Sequence, residues 1–386
     1  MRRLVIVILA ILIAAFPPAA RAADPFEINV IIALTGGGAF LAKDQQVVLN
    51  AIEDQVNKAG GIRGRQIKFV IADDQSSPQV GVQLMNQAIA RNAQVVLGST
   101  LVAICSAMAP LAKDGPLLYC LSPGLHPDPG SYAFSSEPST TDAFVGTAVY
   151  FARRGWHKVA LITTSDATGQ DAARGIDDAF KVQGGLQIVD RETFNNNDVT
   201  IDAQMAKVKA SGADAVIAWT TGPPIGTVLR SVSNLGVTLP IVAGNGNMTF
   251  SQMKAYAEFL PKELYFPGFA ALVPDQLPNG VLKQKAAQFT AALRAAGGAE
   301  SGHVSAWDPA LLILEAYRTL GFDATAAQIR NYLANLQGWV GAAGTYDFKA
   351  FPQRGIGAGS IVMIRWNAVG QKWVGVSKPG GEPLGR

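Results

Sequence analysis

The feature that most constrains this chain is a repeated alternation of short aliphatic runs with stretches whose apolar residues recur every three or four positions. Glu27 to Leu34 (EINVIIAL) is a continuous apolar strand ending in Thr35-Gly36-Gly37-Gly38, after which Val48, Ala51, Ile52, Val56 and Ala59 follow helical spacing. Gly60-Gly61 closes that helix. The spacing then predicts strand Gln66 to Ala72, helix Pro78 to Arg91, strand Val95 to Leu97, helix Ala103 to Lys113 and strand Leu117 to Leu121. Strands apolar on both faces need cover on both faces, and the intervening amphipathic helices supply it, as in a parallel sheet.

A second series begins after the irregular stretch Ser122 to Thr141. It reads helix Thr141 to Arg154, strand Lys158 to Thr163, helix Gly169 to Gln183, strand Leu186 to Glu192, helix Ile201 to Ser211, strand Ala215 to Trp219, helix Ile225 to Leu235 and strand Pro240 to Val242. The fold class is therefore α/β, with two doubly wound parallel-sheet lobes. From Leu277 the pattern becomes helices (Leu282 to Ala296, Ala306 to Leu320, Ala324 to Leu336) and short strands near Thr345 to Phe348, Ser360 to Trp366 and Trp373 to Val376. These complete the lobes, being too small to bury a core of their own.

The first 22 residues read as a signal peptide: Arg2-Arg3, an apolar run of 13 residues from Leu4 to Phe16, Pro17-Pro18, and small residues around Arg21. A run of 13 is short of the roughly 20 apolar residues that a spanning helix needs. The mature chain is expected to be exported and to begin near Ala23. Export leaves Cys105 and Cys120 free to form a disulfide or to stay as buried thiols. The 32 basic and 29 acidic residues become 29 and 29 without Arg2, Arg3 and Arg21. Such a balance gives no electrostatic footprint for nucleic acid or an anionic membrane surface.

Motifs that carry chemistry are scarce. The three histidines, His126, His157 and His303, stand at no metal-ligand spacing, so neither a metal nor any other cofactor is expected. Ser251-Gln252-Met253-Lys254 matches Ser-x-x-Lys without the supporting elements of a serine hydrolase. Gly36-Gly37-Gly38 and Gly355 to Gly359 lack the spacing of nucleotide-binding loops. No catalytic residue is assigned, which leaves a secreted hydrolase as the remote alternative. In parallel sheets ligands sit beyond the carboxyl ends of the strands, where helix N-termini present free amides. That rule directs attention to the turns at Thr35 to Leu41, Gly98 to Ala103, Ser122 to Pro127, Thr164 to Thr168, Thr220 to Pro224 and Gly244 to Met248.

Several segments together resemble the periplasmic leucine/isoleucine/valine-binding protein family of ABC uptake transporters. They are IALTGGGAF (Ile32 to Phe40), VNKAGGIRGRQIKFVIADDQSSP (Val56 to Pro78), APLAKDGPLLYCLSP (Ala109 to Pro123), EPSTTDAF (Glu137 to Phe144) and SGADAVIAW (Ser211 to Trp219). The resemblance implies two lobes joined by three hinge strands: residues 23–141 with 269–340, and residues 142–268 with 341–386. It also implies a monomer that closes on a small molecule and hands it to an inner-membrane permease. A sensing subunit of a signalling receptor is the alternative in another class.

Carried over position by position, most of the family's amino-acid site has changed. The Ser that binds the ligand carboxylate is similar in place to Val102, and the Ser-Pro turn continues through Gly124 to His126, which takes the anion-binding role in its stead. Thr168 and Thr221 stand where the family has aromatics, beside Gly222. Asn245 falls where an acidic residue receives the amino group. Phe40, Leu41, Trp219 and Phe269 are expected to line an apolar pocket, with anion-binding amides near Leu101, Val102 and Thr168, aided by Thr100. Burying an ammonium without a carboxylate costs several kcal/mol. The expected ligand is accordingly a small organic acid without an amine, an aromatic carboxylate, with a branched-chain amino acid or amide as the alternative.

Overall fold

The computed structural model describes residues 23–385; the expected signal peptide lies outside the described residues. The first sheet contains β1 (Phe26–Ile32), β2 (Ile67–Asp73), β3 (Val95–Gly98), β4 (Leu117–Cys120) and β5 (Ala133–Ser135), all parallel, in the order β2-β1-β3-β4-β5. Helix α1 (Ala39–Lys58) lies on one face, and α2 (Pro78–Ala90) and α3 (Val102–Met108) lie on the other. The side-chain period of two along β1 sends Val30 and Ile32 to the α1 side and Ile31 to the side of Met85 and Ile104. Burying each such aliphatic side chain stabilises the fold by roughly 1.5–3 kcal/mol.

The chain then passes through Ser136–Ser139 into α4 (Thr140–Arg154), whose start is set by a capping box between Ser139 and Asp142. The second sheet follows: β6 (Lys158–Thr164), α5 (Ala167–Gln183), β7 (Gln187–Phe194), α6 (Asp202–Ala210), β8 (Ala215–Trp219), α7 (Pro224–Asn234), β9 (Ile241–Ala243), α8 (Phe250–Ala255) and β10 (Leu264–Phe269). Asp166 caps α5 by accepting from the Gly169 N–H, and Gly169 lies so close to the Thr164 carbonyl that a Cβ there has no room. That close approach packs α5 onto β6 and brings the head of the helix to the strand end.

After β10 the chain returns to the first sheet through α9 (Val281–Ala292), α10 (Ser301–Leu320) and α11 (Ala326–Ala334). α10 packs along α1. A small antiparallel pair, β11 (Gln337–Val340) and β12 (Thr345–Asp347), precedes a third crossing to β13 (Ile361–Asn367) and β14 (Lys372–Gly375). These last two add an antiparallel edge to the second sheet, giving the order β14-β13-β10-β9-β8-β6-β7. The sequence reading passes over β5, β10, β11 and α8, which are short and carry no clean periodicity. Two doubly wound lobes joined by three crossings are what the fold consists of.

The crossings are stitched by one buried cation. The Arg354 guanidinium, in the third crossing, donates from Nη1 to the carbonyls of Ser136 (3.3 Å) and Glu137 (2.9 Å) and from Nη2 to that of Leu125 (2.6 Å). Nearby, the amides of Ala342 and Ala343 donate to Asp308 of α10 at 2.7 and 2.8 Å, and the Tyr346 hydroxyl donates to the same carboxylate at 3.0 Å. Burial pushes the Asp308 carboxyl up to about 6 against these bonds.

Cys105 of α3 and Cys120 at the end of β4 form a disulfide across 15 residues, which resolves the choice the sequence leaves open. Replacing both by Ala is expected to lower the unfolding free energy by about 3 kcal/mol, the loop-closure entropy for that separation. Urea unfolding of the two proteins measures the difference. An unchanged midpoint would show that the bridge constrains little.

Candidate functional site

The carboxyl ends of the two sheets face each other across a cleft of about 620 Å³, the open solvent at its mouth included. One wall is formed by α1 (Leu41, Gln45), the turn before α3 (Thr100, Leu101, Val102), the segment Leu121–Gly124 and the head of α10 (Ser301, Gly302, Ser305). The other comes from α5 (Thr168, Asp171), the end of β8 (Trp219–Thr221) and the end of β9 (Gly244–Gly246), while Glu137 and Thr140 close the floor at the first crossing.

Of the residues picked from sequence, the structure brings Leu41, Thr100, Leu101, Val102, Gly124, Thr168, Trp219, Thr221 and Asn245 into this lining. Trp219 stands against Phe144 with ring centroids 4.5 Å apart, which fixes the indole as a wall. Thr100 is committed elsewhere: its hydroxyl donates to Gln45 Oε1 at 2.7 Å and accepts from the Ala33 amide at 3.3 Å, so it has no proton left for an anion. Gln45 in turn donates to Ser305 at 3.0 Å, tying α1 to α10.

Four expected residues lie outside the lining. Phe269 is buried beside a smaller neighbouring cavity that shares Pro123, Thr140, Trp219 and Asn245 with the cleft. Phe40 and Gly222 meet each other at the mouth: a Cβ on Gly222, whose φ is +82°, would lie 2.7 Å from Phe40 Cε1. The Gly222 amide donates to Asn247 Oδ1 at 3.0 Å, so this turn is held in place. His126, expected to bind an anion, instead faces a carboxylate, with Nε2 2.6 Å from Asp171 Oδ1 across the lobe interface. The reason is the path of the Pro-rich loop, which carries the ring past the cleft to α5.

The electrostatics of the cleft involve more than position 245. Among the described residues no Lys, Arg or His lines it, yet two carboxylates do. Asp171 keeps Oδ2 free of any protein partner, and Glu137 keeps Oε1 free, each buried. Asn245 does not stand alone: its Nδ2 donates to Glu137 Oε2 at 3.3 Å. Burial pushes the Glu137 carboxyl up to about 8, with Asn245 and the Arg354 charge pulling it down and Asp308 pushing it up. Asp44, just behind Leu41, is likewise raised to about 8 by burial beside Glu300. Glu137 lies in a segment that carries the family resemblance, but nothing in its spacing marks it as facing a cleft. Asp171 sits mid-helix and shows no signal at all.

Two α/β lobes joined by three crossings thus face each other at their strand ends across this cleft. Residues 25–371 match the model of the Periplasmic binding protein family, and the chain belongs to that family. The Leu/Ile/Val-binding protein BraC3 of Rhizobium johnstonii is 24% identical over 240 residues, 60% of this chain, and that match spans 64% of the relative, less than two thirds of its length. The crystal structure of an extracellular ligand-binding receptor from Rhodopseudomonas palustris HaA2 superposes with a TM-score of 0.81 at 18% identity, covering 92% of this chain and all of that one. A solute-binding protein of R. palustris solved with benzoate superposes with a TM-score of 0.74 at 17% identity, covering 94% and 98%. These structures share the fold.

Gly222→Ala is expected to cost about 1–2 kcal/mol through its positive φ and to push Phe40 off the opposite lobe. The open form should gain roughly tenfold in population, seen as a larger radius of gyration in solution scattering. Unchanged scattering would mean that the Phe40–Gly222 contact does not hold the lobes together.

Proposed function

We propose that this chain captures a small solute in the periplasm, as a monomer, and delivers it to an inner-membrane ABC permease without altering it chemically. The solute has an apolar body and a head rich in hydrogen-bond donors: a branched-chain amino acid or its amide. The observation that carries this reading is the pair of free carboxylate oxygens, on Glu137 and Asp171, in a cleft lined by no cationic side chain. A ligand carboxylate placed between them would meet the Asp171 carboxylate, whereas an ammonium or amide can donate to both oxygens. Leu41, Leu101, Val102 and Trp219 supply the apolar wall. The carboxylate of an amino acid finds its partners at the head of α5, in the Ala167 and Thr168 amides that the Asp166 cap, taken up by Gly169, leaves over.

Closure follows from having walls on both lobes. A ligand that touches α1 and α10 on one side and α5 and β8 on the other gains its full set of contacts only when the lobes meet, so binding shifts the population to the closed form. That form is the one a permease reads. The expected signal peptide and membership of the periplasmic binding protein family support an encounter outside the inner membrane.

A second reading, the aromatic carboxylate expected from sequence, keeps one specific observation in its favour. Trp219 offers a fixed aromatic wall, and Glu137, when protonated, can donate to a carboxylate. The benzoate complex of a protein with this fold is compatible with it.

A thermal-shift panel on the chain from Ala23 separates the two readings, using leucine, leucinamide, 4-methylpentanoate, benzoate and hydroxycinnamates. A ligand at about 100 times its Kd adds roughly 2.7 kcal/mol, which raises the melting point by several degrees. The expected outcome is stabilisation by leucine or leucinamide. Stabilisation by aromatic carboxylates alone would contradict the first reading and select the second.

A further inference from the structure

We propose that Glu137, reaching the cleft from the first crossing rather than from either lobe's helix heads, is the residue that selects the ligand's head group by taking a donor on its free Oε1. The inference rests on the donor-head reading above and goes further by naming a single selecting atom and a proton linked to its use.

Three independent features of the structure lead to it. Glu137 is 4% exposed, its Oε1 has no partner in the protein, and it lines the cleft. Its backbone takes φ +63°, a conformation that L-residues avoid, and the Arg354 guanidinium holds the Glu137 carbonyl at 2.9 Å. Its other oxygen accepts from Asn245 of the opposite lobe at 3.3 Å. A buried carboxyl on a strained backbone, anchored behind by a cation and across the cleft by an amide, still has one acceptor atom free. An unpaired buried acceptor costs about 1–3 kcal/mol, and a ligand donor removes that cost.

The charged and titratable groups around it are Arg354 from the third crossing, Asp308 of α10, Tyr346 of β12 and, on the far side of the cleft, Asp171 of α5. Arg354 favours the carboxylate, while burial and the acidic neighbours favour the acid. Burial raises the carboxyl to about 8, so the empty cleft holds Glu137 protonated at neutral pH. An ammonium arriving at Oε1 stabilises the carboxylate, and the proton leaves to the buffer: Glu–COOH plus ligand–NH3+ gives the Glu–COO−/NH3+ pair and one H+. An amine-free acid gives no such release, because the protonated Glu137 is then the donor.

The test uses the chain from Ala23 with leucine, leucinamide and 4-methylpentanoate as probes, titrated calorimetrically at pH 7 in phosphate and in Tris, whose ionisation heats differ. The wild type is expected to release close to one proton per leucine or leucinamide. Glu137→Gln should bind both at least tenfold more weakly with no proton release, while binding 4-methylpentanoate no worse than the wild type does. Glu137→Asp, which keeps the charge on a shorter arm, should retain the release with an intermediate affinity, and its circular dichroism checks the fold alongside Gln. Equal losses for all three probes, or amine binding and proton release unaffected by Glu137→Gln, would overturn the selecting role while leaving the donor-head reading in place. Failure of the wild type to bind any amino acid or amide would overturn both.

Discussion

The Arg354 guanidinium is the contact on which the rest of the molecule depends. It comes from the last of three crossings and holds carbonyls of Leu125, Ser136 and Glu137 around the first, so the two lobes are registered at their shared edge by one buried cation. A buried guanidinium is costly unless its donors are matched, and removing a partner of such a group typically costs several kcal/mol. The charge also has an electrostatic consequence, since it lies behind a carboxyl that burial alone would keep protonated. The hinge and the floor of the cleft are thus one structure.

From that edge the lobes extend as two covered sheets, and the cleft forms where their strand ends meet. The contacts across it include Phe40 over Gly222, His126 to Asp171, Asn245 to Glu137 and, at the head of α10, the Phe250 amide to Glu300 and the Ser301 amide to the Met248 carbonyl. Asp171 has one oxygen on the interlobe histidine and the other free in the cleft. In the proposed function, ligand contact and lobe contact converge on the same carboxylate, a physical route from occupancy to closure. Because each cross-cleft contact is worth on the order of 1 kcal/mol, the balance between open and closed forms lies within reach of a modest binding energy.

Much of this was legible in the sequence, for reasons that are themselves physical. Strands such as EINVIIAL and the period of α1 are dictated by burial on both faces of a parallel sheet, and the rule that ligands sit at strand ends pointed to turns that line the cleft. Leu41, Val102, Thr168, Thr221 and Asn245 reach the cleft because they sit on those turns, and Trp219 because it ends β8 just before one. Short elements such as β5 and β10 escaped, since three to six residues carry too little periodicity to register. Gln45, Glu137, Asp171 and Ser305 escaped for another reason: each faces the cleft through tertiary placement, from a helix interior or a crossing segment. The expectation of an amine-free ligand weighed the acceptor at position 245 alone, where the structure adds Glu137 and Asp171. His126 illustrates the same limit, since its partner lies 45 residues away on the other lobe.

The central claim is that the lobes close on a ligand held between them. Spin labels on exposed Val47 of α1 and Val182 of α5, one on each lobe, allow the distance between the lobes to be measured by double electron–electron resonance, since the native cysteines are bridged. Without ligand the account predicts a broad distribution reaching to long distances; with the tightest-binding solute of the panel at saturation it predicts a single narrow, shorter distance. A distribution that stays the same on saturation would contradict closure as the mechanism of capture.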